Sequence, residues 1–477
     1  MERPRIQKYK LYFLHPFIYE DKHHKNMIQC LLNHDSQWQI KWYQKGRAAD
    51  KLRTEYFLPH IVKFLYPSMY LDKGVDANLN RSDIQWLTEL SGLDFVLRPE
   101  ALKRYQSFEV SANNLCYPLS FESIHLKIFH GGIGFLYFQL ISQKPEIELN
   151  DLIYINQLIR PLVALYEGFE VPKVQLAYDQ SITTMKDIID QLLHDIRIYK
   201  NHETIFNIYI DRLLFYTYAC VQKSSLLSKQ WIYKRTDMLE ALRSCSLFVP
   251  NRESILVQDK CHEEKLYYSK YKSSVYGFSK EGGVLLAVDR DHEGNLIEPN
   301  FHNAYIPQYF STYYLDIFIL GLYQRISLIN YCRKLSMLKS LMNNKHEIEH
   351  IRFQILKFTN TAWFTQITNA ELGMNIWEKW LNIFENETLY CEVKQGLDEL
   401  DDFLENKKQS RFNAKLGIIT ALTIPPTLIF SYVGNRFEQL SLINLLNPRF
   451  IFSSLLLFSI MMGIFFLIER FYDNSSK

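Results

Sequence analysis

Two uncharged, mostly apolar runs near the C-terminus, residues 416–435 and 450–468, constrain this chain more than any other feature. A helix needs about 20 such residues to cross the hydrocarbon core of a bilayer, and both runs reach that length. Only residues 436–449 separate them, so they predict a hairpin of two membrane-spanning helices behind a large cytosolic part. Lys407, Lys408, Arg411 and Lys415 precede the hairpin and Arg470 and Lys477 follow it, against Arg436 and Arg449 in the loop. That bias places both termini in the cytoplasm of a multi-pass protein of the inner membrane. The N-terminus is basic but has no sustained apolar core before His15 and Pro16, so it does not read as a signal peptide.

The first run is not uniformly apolar. Wound at roughly 100° per residue, Asn413, Thr420, Thr427, Ser431 and Asn435 fall within about 80° of one another, together with Gly417 and Ile424. A polar stripe along a spanning helix marks a helix interface or a pore lining, although Ser and Thr also bond their own backbone in such helices. Pro425-Pro426 predicts a bend in mid-span.

The sequence LGIITALTIPPTLIFSYVGN resembles the first transmembrane helix of CorA-type divalent-cation channels. Pro425, Thr427 and Gly434 match that family's Pro-x-Thr step and terminal Gly-Met-Asn, with Asn435 following the glycine directly and the methionine missing. Glu438 stands where the family has an acidic loop. The resemblance covers about residues 389–472 and implies a homopentamer in the bilayer whose first span lines the pore. Asn413, Leu416, Gly417, Thr420, Ile424, Thr427, Ser431, Gly434 and Asn435 are then the expected pore-lining residues. Leu416 and Ile424 form its apolar constrictions and Asn435 its outer mouth. Because the Gly-Met-Asn order is broken, magnesium selectivity is not implied. An intact Gly373-Met374-Asn375 lies too far upstream to end a spanning helix and is taken as chance.

Residues 1–310 read as a cytosolic α/β ligand-sensing domain, 311–411 as a long α-helical stalk, 412–469 as the hairpin and 470–477 as a cytosolic tail. Hydrophobic residues make up 47% and aromatic residues 15% of the 477, ample for a packed core. A hairpin is expected over 124–129 and 133–141, turned at Gly131-Gly132, with a helix over 146–166 and a second hairpin at Gly282-Gly283. Residues 205–221 carry Asp211 and Arg212, and 313–329 carry Asp316, Gln324 and Arg325, so both are expected in the core and not as further spans. In the last stalk helix Leu389, Val393, Leu397, Leu400 and Leu404 form the packing stripe. Glu399 and Asp402 extend the polar face as acidic rings at the cytoplasmic entrance.

Charge and cysteines bound the remaining classes. The balance of 54 basic and 52 acidic residues gives a net charge of +2, which argues against direct nucleic-acid binding. Seven scattered cysteines with no C-x-x-C spacing indicate reduced thiols. No phosphate-cradling glycine loop occurs, although Tyr267, Tyr268 and Tyr271 interleave with Lys265, Lys270 and Lys272 in a patch able to stack a base. His346-Glu347-Ile348-Glu349-His350 places two histidines on one helix face with Glu347 as a base, and Glu371 as a possible third ligand: the pattern of a zinc peptidase. Flanking Lys345 and Arg352 and the charged Glu349 make a solvent-facing helix the better account.

The expected function is an oligomeric CorA-like ion channel, not an enzyme, with no resident cofactor. Its ligand, on the cytosolic domain, is a divalent cation or a nucleotide messenger. Similarity to divergent family members implies a type III CRISPR antiviral effector, opened by a messenger such as an S-adenosylmethionine–AMP conjugate and dissipating the membrane potential. The alternatives are a magnesium or divalent-cation transporter of CorA type, and a membrane-anchored zinc metallopeptidase using His346, Glu347 and His350.

Overall fold

The computed structural model describes residues 4–71, 79–112, 115–164, 167–197, 209, 211–222, 266–289, 295, 300–340 and 345–436. The chain divides into two compact units, Met1–Tyr331 with Phe353–Tyr390, and Cys332–Arg352 with Cys391–Lys477.

The first unit is built on a 12-stranded sheet. Its strands are β1 (Ile6–Ile18), β2 (Trp38–Ile40), β3 (Leu93–Leu97), β4 (Ser107–Ala112), β5 (Leu115–Phe129), β6 (Ile133–Ser142), β7 (Lys173–Leu176), β8 (Ile182–Thr184), β9 (Leu214–Val221), β10 (Tyr267–Tyr268), β11 (Ser274–Ser279) and β12 (Gly282–Val288). Their order is β10-β11-β12-β9-β1-β6-β5-β4-β7-β8, with β3 pairing β5 and β2 beside it. All ladders are antiparallel except β12 on β9. The expected hairpin is β5–β6, with Gly131 and Gly132 at φ +89° and +81°. Gly132 is obligatory on a second count, because a Cβ there would lie 2.0 Å from the Tyr19 carbonyl oxygen. The second expected hairpin is β11–β12.

Strand alternation gives the sheet two faces. One carries Leu11, Phe13, Phe95, Leu126, Leu136 and Phe138, all buried in the main apolar core. Three helices supply the other half of that core: α1 (His24–Leu31), α6 (Leu149–Ile159) and α7 (Met185–Leu192), counted in a series that includes α2 (Lys51–Tyr56), α3 (Pro59–Leu65), α4 (Arg81–Leu87) and α5 (Pro99–Tyr105). Helix α6 is shorter than the 146–166 expected from periodicity. It starts at a reciprocal cap between Glu148 and Asp151.

The opposite face is mixed. Over β9, β11 and β12 it is aromatic: the Tyr216 ring stacks between Phe310 at 4.1 Å and Phe318 at 5.1 Å. Over β1, β3, β5 and β6 it is polar. After α8 (His194–Arg197) and α9 (Ile306–Tyr309), it is covered by α10 (Leu315–Ser340) and α12 (Glu371–Phe384), with α11 (Lys345–Thr361) between them in the chain. The run 313–329 is therefore core, as its charges require: Asp316 and Gln324 are buried and polar-bonded. Of 205–221, the described part is mostly β9.

The second unit holds the C-terminal part of α10, the start of α11 and most of α13 (Asn386–Arg436). Val393 and Leu400 of the predicted stripe are buried there, and Arg352 pairs with Asp401 at 3.1 Å.

The two-helix transmembrane hairpin is corrected. Among the described residues no helix is long and apolar enough to cross a membrane. The 51-residue α13 does run through the first expected span, but it is charged from Glu387 to Lys415, and beyond Thr420 only the side chains of Thr423 and Thr427 are described. The described part thus supplies length without enough apolar surface. The second expected span, 450–468, lies outside the described residues. In place of a CorA-like hairpin architecture, the structure has a large mixed sheet with helices. The inner-membrane, multi-pass placement rested on the same two spans and is corrected with them.

Candidate ligand-binding site

Register builds the polar half of the mixed face. Asp94 of β3 lies opposite Lys127 of β5, and His125 of β5 opposite Tyr137 of β6, with those two rings stacked at 4.8 Å. Arg53 of α2, Tyr66 after α3, Asp316 of α10 and the Lys41–Tyr43 segment close over them. Asp94 accepts from the Tyr43 hydroxyl and from Tyr137 at 3.1 Å, with Lys41 at 3.9 Å. Asp316 accepts from Arg53 at 3.2 Å and from the Tyr66 hydroxyl at 2.5 Å, with Lys127 at 3.9 Å. Burial alone would raise the Asp94 carboxyl, but Lys41, His125 and Lys127 hold it well below the carboxylate range. Burial lowers His125 to about 4. This cluster is charge-dense and closed, so it ties α2 and α10 to the sheet.

Next to it, at the β5–β6 turn, lies a cavity of about 460 Å³. That is within the range, roughly 300–1,000 Å³, of small-molecule sites. Its walls are aromatic. Phe64 of α3 packs on Phe129 at 5.5 Å, Phe364 at 5.3 Å and Tyr323 at 5.5 Å, and Phe358 and Tyr331 also line the space. Lys63 of α3 and Lys357 of α11 also line it; both are exposed, and they make no ion pair among the described residues. His60 joins them.

The floor of the cavity is a fixed polar array. Asp21 accepts the Gly131 N–H at 2.8 Å and has the His130 Nδ1 at 3.9 Å. The His130 Nε2–H donates to the Glu89 carbonyl at 2.9 Å. His130 lies against the His24 ring, with centroids 3.9 Å apart. His24 donates from Nε2 to the Leu90 carbonyl at 3.1 Å, which leaves Nδ1 to meet the Tyr19 hydroxyl at 2.7 Å. Burial, and then the neighbouring His130, lower His24 to about 4. Burial would raise Asp21, but His130 and the Gly131 N–H hold it far below its ordinary value. The acids at this end are thus already engaged, Glu89 with Lys25 at 3.4 Å, while the two lysines have no ion pair among the described residues. Aromatic walls with these cations suit a flat, anionic ligand.

The residues expected from the sequence lie elsewhere. Asn413, Leu416, Gly417, Thr420 and Thr427 are exposed on α13 in the second unit, and the Thr420 and Thr427 hydroxyls donate to the carbonyls of Leu416 and Thr423, both at 2.8 Å. The side chains of Ile424, Ser431 and Asn435 lie outside the description, as do the surroundings of Gly434. Glu399 accepts from Gln395 at 3.1 Å and Asp402 is exposed. The HEIEH segment is helical in α11, with Glu347 half-buried and His350 exposed; the His346 side chain is outside the description. Among the described residues no group of three His, Cys, Asp or Glu is placed to hold a metal. Gly373 and Asn375 have packing roles in α12: a Cβ at 373 would meet the Tyr313 hydroxyl at 1.9 Å, and Asn375 donates to Tyr268 at 2.9 Å.

Lys63, Lys357, His60, Asp21 and His130 carry no local signature; only the Gly131-Gly132 turn pointed to this corner. Comparison with protein-family models, curated proteins and solved structures finds no match.

Proposed function

We propose that the first unit is a ligand-sensing module whose cavity receives a small anionic ligand of nucleotide class. The observation that carries this is the meeting of Lys63 and Lys357, which make no ion pair among the described residues, with the Phe64, Phe358 and Phe364 rings in one 460 Å³ space. A base gains stacking on such rings and a phosphate gains charge-assisted hydrogen bonds from the lysines. Three walls come from α3, α10 and α11, so an occupant adds contacts between elements that are far apart in the chain. No chemistry on the ligand is proposed, because the His130 and Asp21 side chains are committed to the turn. Nor is conduction carried forward, since it needs the membrane hairpin.

Isothermal titration of the full chain with AMP, ATP and S-adenosylmethionine tests this. At least one is expected to bind, with Lys63→Ala and Lys357→Ala each weakening it about tenfold, the loss of one charge-assisted bond. Equal affinity in wild type and both variants would place the ligand elsewhere.

A further inference from the structure

We propose that a tyrosine-walled depression between β10, β11 and the segment leading into α10 is a second binding site, for a compact oxyanion carried on a larger ligand. It is lined by Tyr268, Lys270, Tyr271 and Tyr314, with Ile306 and Ile376 among its apolar floor, and encloses about 30 Å³. None of these residues lines the larger cavity.

The backbone here is unusual. Phe301–Tyr305 and Phe310–Tyr314 are both π-helical, on either side of α9. Such turns are rare and recur at functional sites, where they re-aim side chains. The second one sets Tyr314 into the depression. Tyr314 is 4% exposed as a whole residue, and its phenol makes no hydrogen bond to a described residue. Burial holds that phenol above its ordinary pKa, so it stays an O–H donor. The Tyr268 oxygen already accepts from Asn375 at 2.9 Å, which leaves its own O–H to donate. Tyr271 keeps a face in water, 36% exposed and edge-on to Phe301 at 5.3 Å. Exposed Lys270 adds an ammonium at the rim and makes no ion pair among the described residues.

The polar groups named are therefore donors, and no carboxylate lines the space. The small volume admits an anionic head group and not a whole nucleotide. Phosphoryl and carboxylate groups share the required chemistry.

Titration with inorganic phosphate and, separately, acetate tests the site, in the full chain carrying Lys63→Ala and Lys357→Ala so that the larger cavity contributes nothing. Binding of either anion is expected, weakened about tenfold by Tyr314→Phe and by Lys270→Ala. The first keeps the ring and the second is on the surface, so both should fold. Phosphate alone identifies a phosphoryl ligand, and acetate a carboxylate. Absence of binding in the double-lysine background, or binding that neither further substitution changes, overturns the site whatever becomes of the larger cavity.

Discussion

Asp94 and Lys127 face each other across the β3–β5 ladder, yet the Lys127 ammonium forms its ion pair with Asp316 of α10, at 3.9 Å. A strand residue is thus used to hold a helix. Lys127 is fully buried and its ammonium has no hydrogen-bond partner among the described residues, so the ion pair and the Tyr66 ring at 4.9 Å are what stabilise its charge there.

Asp316 is consequently the point at which this cluster should fail. Asp316→Ala strands Lys127 and removes the acceptor of Arg53 and Tyr66. Breaking a buried pair from one side costs about 3–5 kcal/mol. Urea denaturation should show that loss, and a change under about 1 kcal/mol would mean that Asp316 is replaced in its role by water or by Asp50.

Two glycines with nearly equal φ separate strain from space. Gly132, at +81°, has no room for a Cβ, whereas Gly46, at +88°, has nothing within 4 Å. Gly46→Ala should cost only the left-handed conformation, about 1–2 kcal/mol. Gly132→Ala adds a clash with the Tyr19 backbone and should cost clearly more. Equal midpoints in denaturant would show that the β5–β6 turn yields to the added methyl.

Acid sensitivity follows from buried imidazoles. His24, His125 and His302 are each lowered from 6.5 to about 4, by burial first. Above about pH 7.5 folded and unfolded states are both neutral at these sites, and no stability depends on them. As the pH falls towards 4 the unfolded chain takes up protons that the folded one refuses, so stability drops, by at most about 1.4 kcal/mol per pH unit per histidine. Asp94 and Asp21, held below their ordinary values, add a further loss that begins below about pH 5. Thermal melts from pH 7.5 to 4 should fall steadily across the lower part of that range. A flat profile down to pH 4.5 would contradict the buried, neutral state of these rings.

The local features were legible for local reasons. Gly131-Gly132 and Gly282-Gly283 announced hairpins because few other residues accept positive φ or such close backbone approach. Asp316 and Gln324 correctly removed 313–329 from the list of membrane spans. The polar cluster was not legible, since Asp94, Lys127 and Asp316 become neighbours only through strand register and the docking of α10. The cavity was hidden for the same reason: Lys63 and Lys357 are ordinary exposed residues, and only the meeting of α3 and α11 at the β5–β6 turn sets them on one cavity. The apolar run at 416–435 misdirected the fold because its composition says how greasy a segment is, but not what the rest of its helix carries. In α13 it follows a long charged stretch.

Salt should distinguish occupation of the larger cavity through its lysines from occupation through its rings alone. Screening lengths fall from about 10 Å at 0.1 M to about 3 Å at 1 M salt, so a phosphate held by Lys63 and Lys357 weakens as salt is added, whereas stacking on Phe64 does not. A ligand at 100 times its Kd should stabilise the fold by about 2.7 kcal/mol at low salt. The corresponding rise in Tm should shrink at 1 M salt for wild type and vary little with salt once both lysines are alanine. A rise that is the same at both salt concentrations in wild type would assign the affinity to the aromatic walls and remove the anion from the description of the ligand.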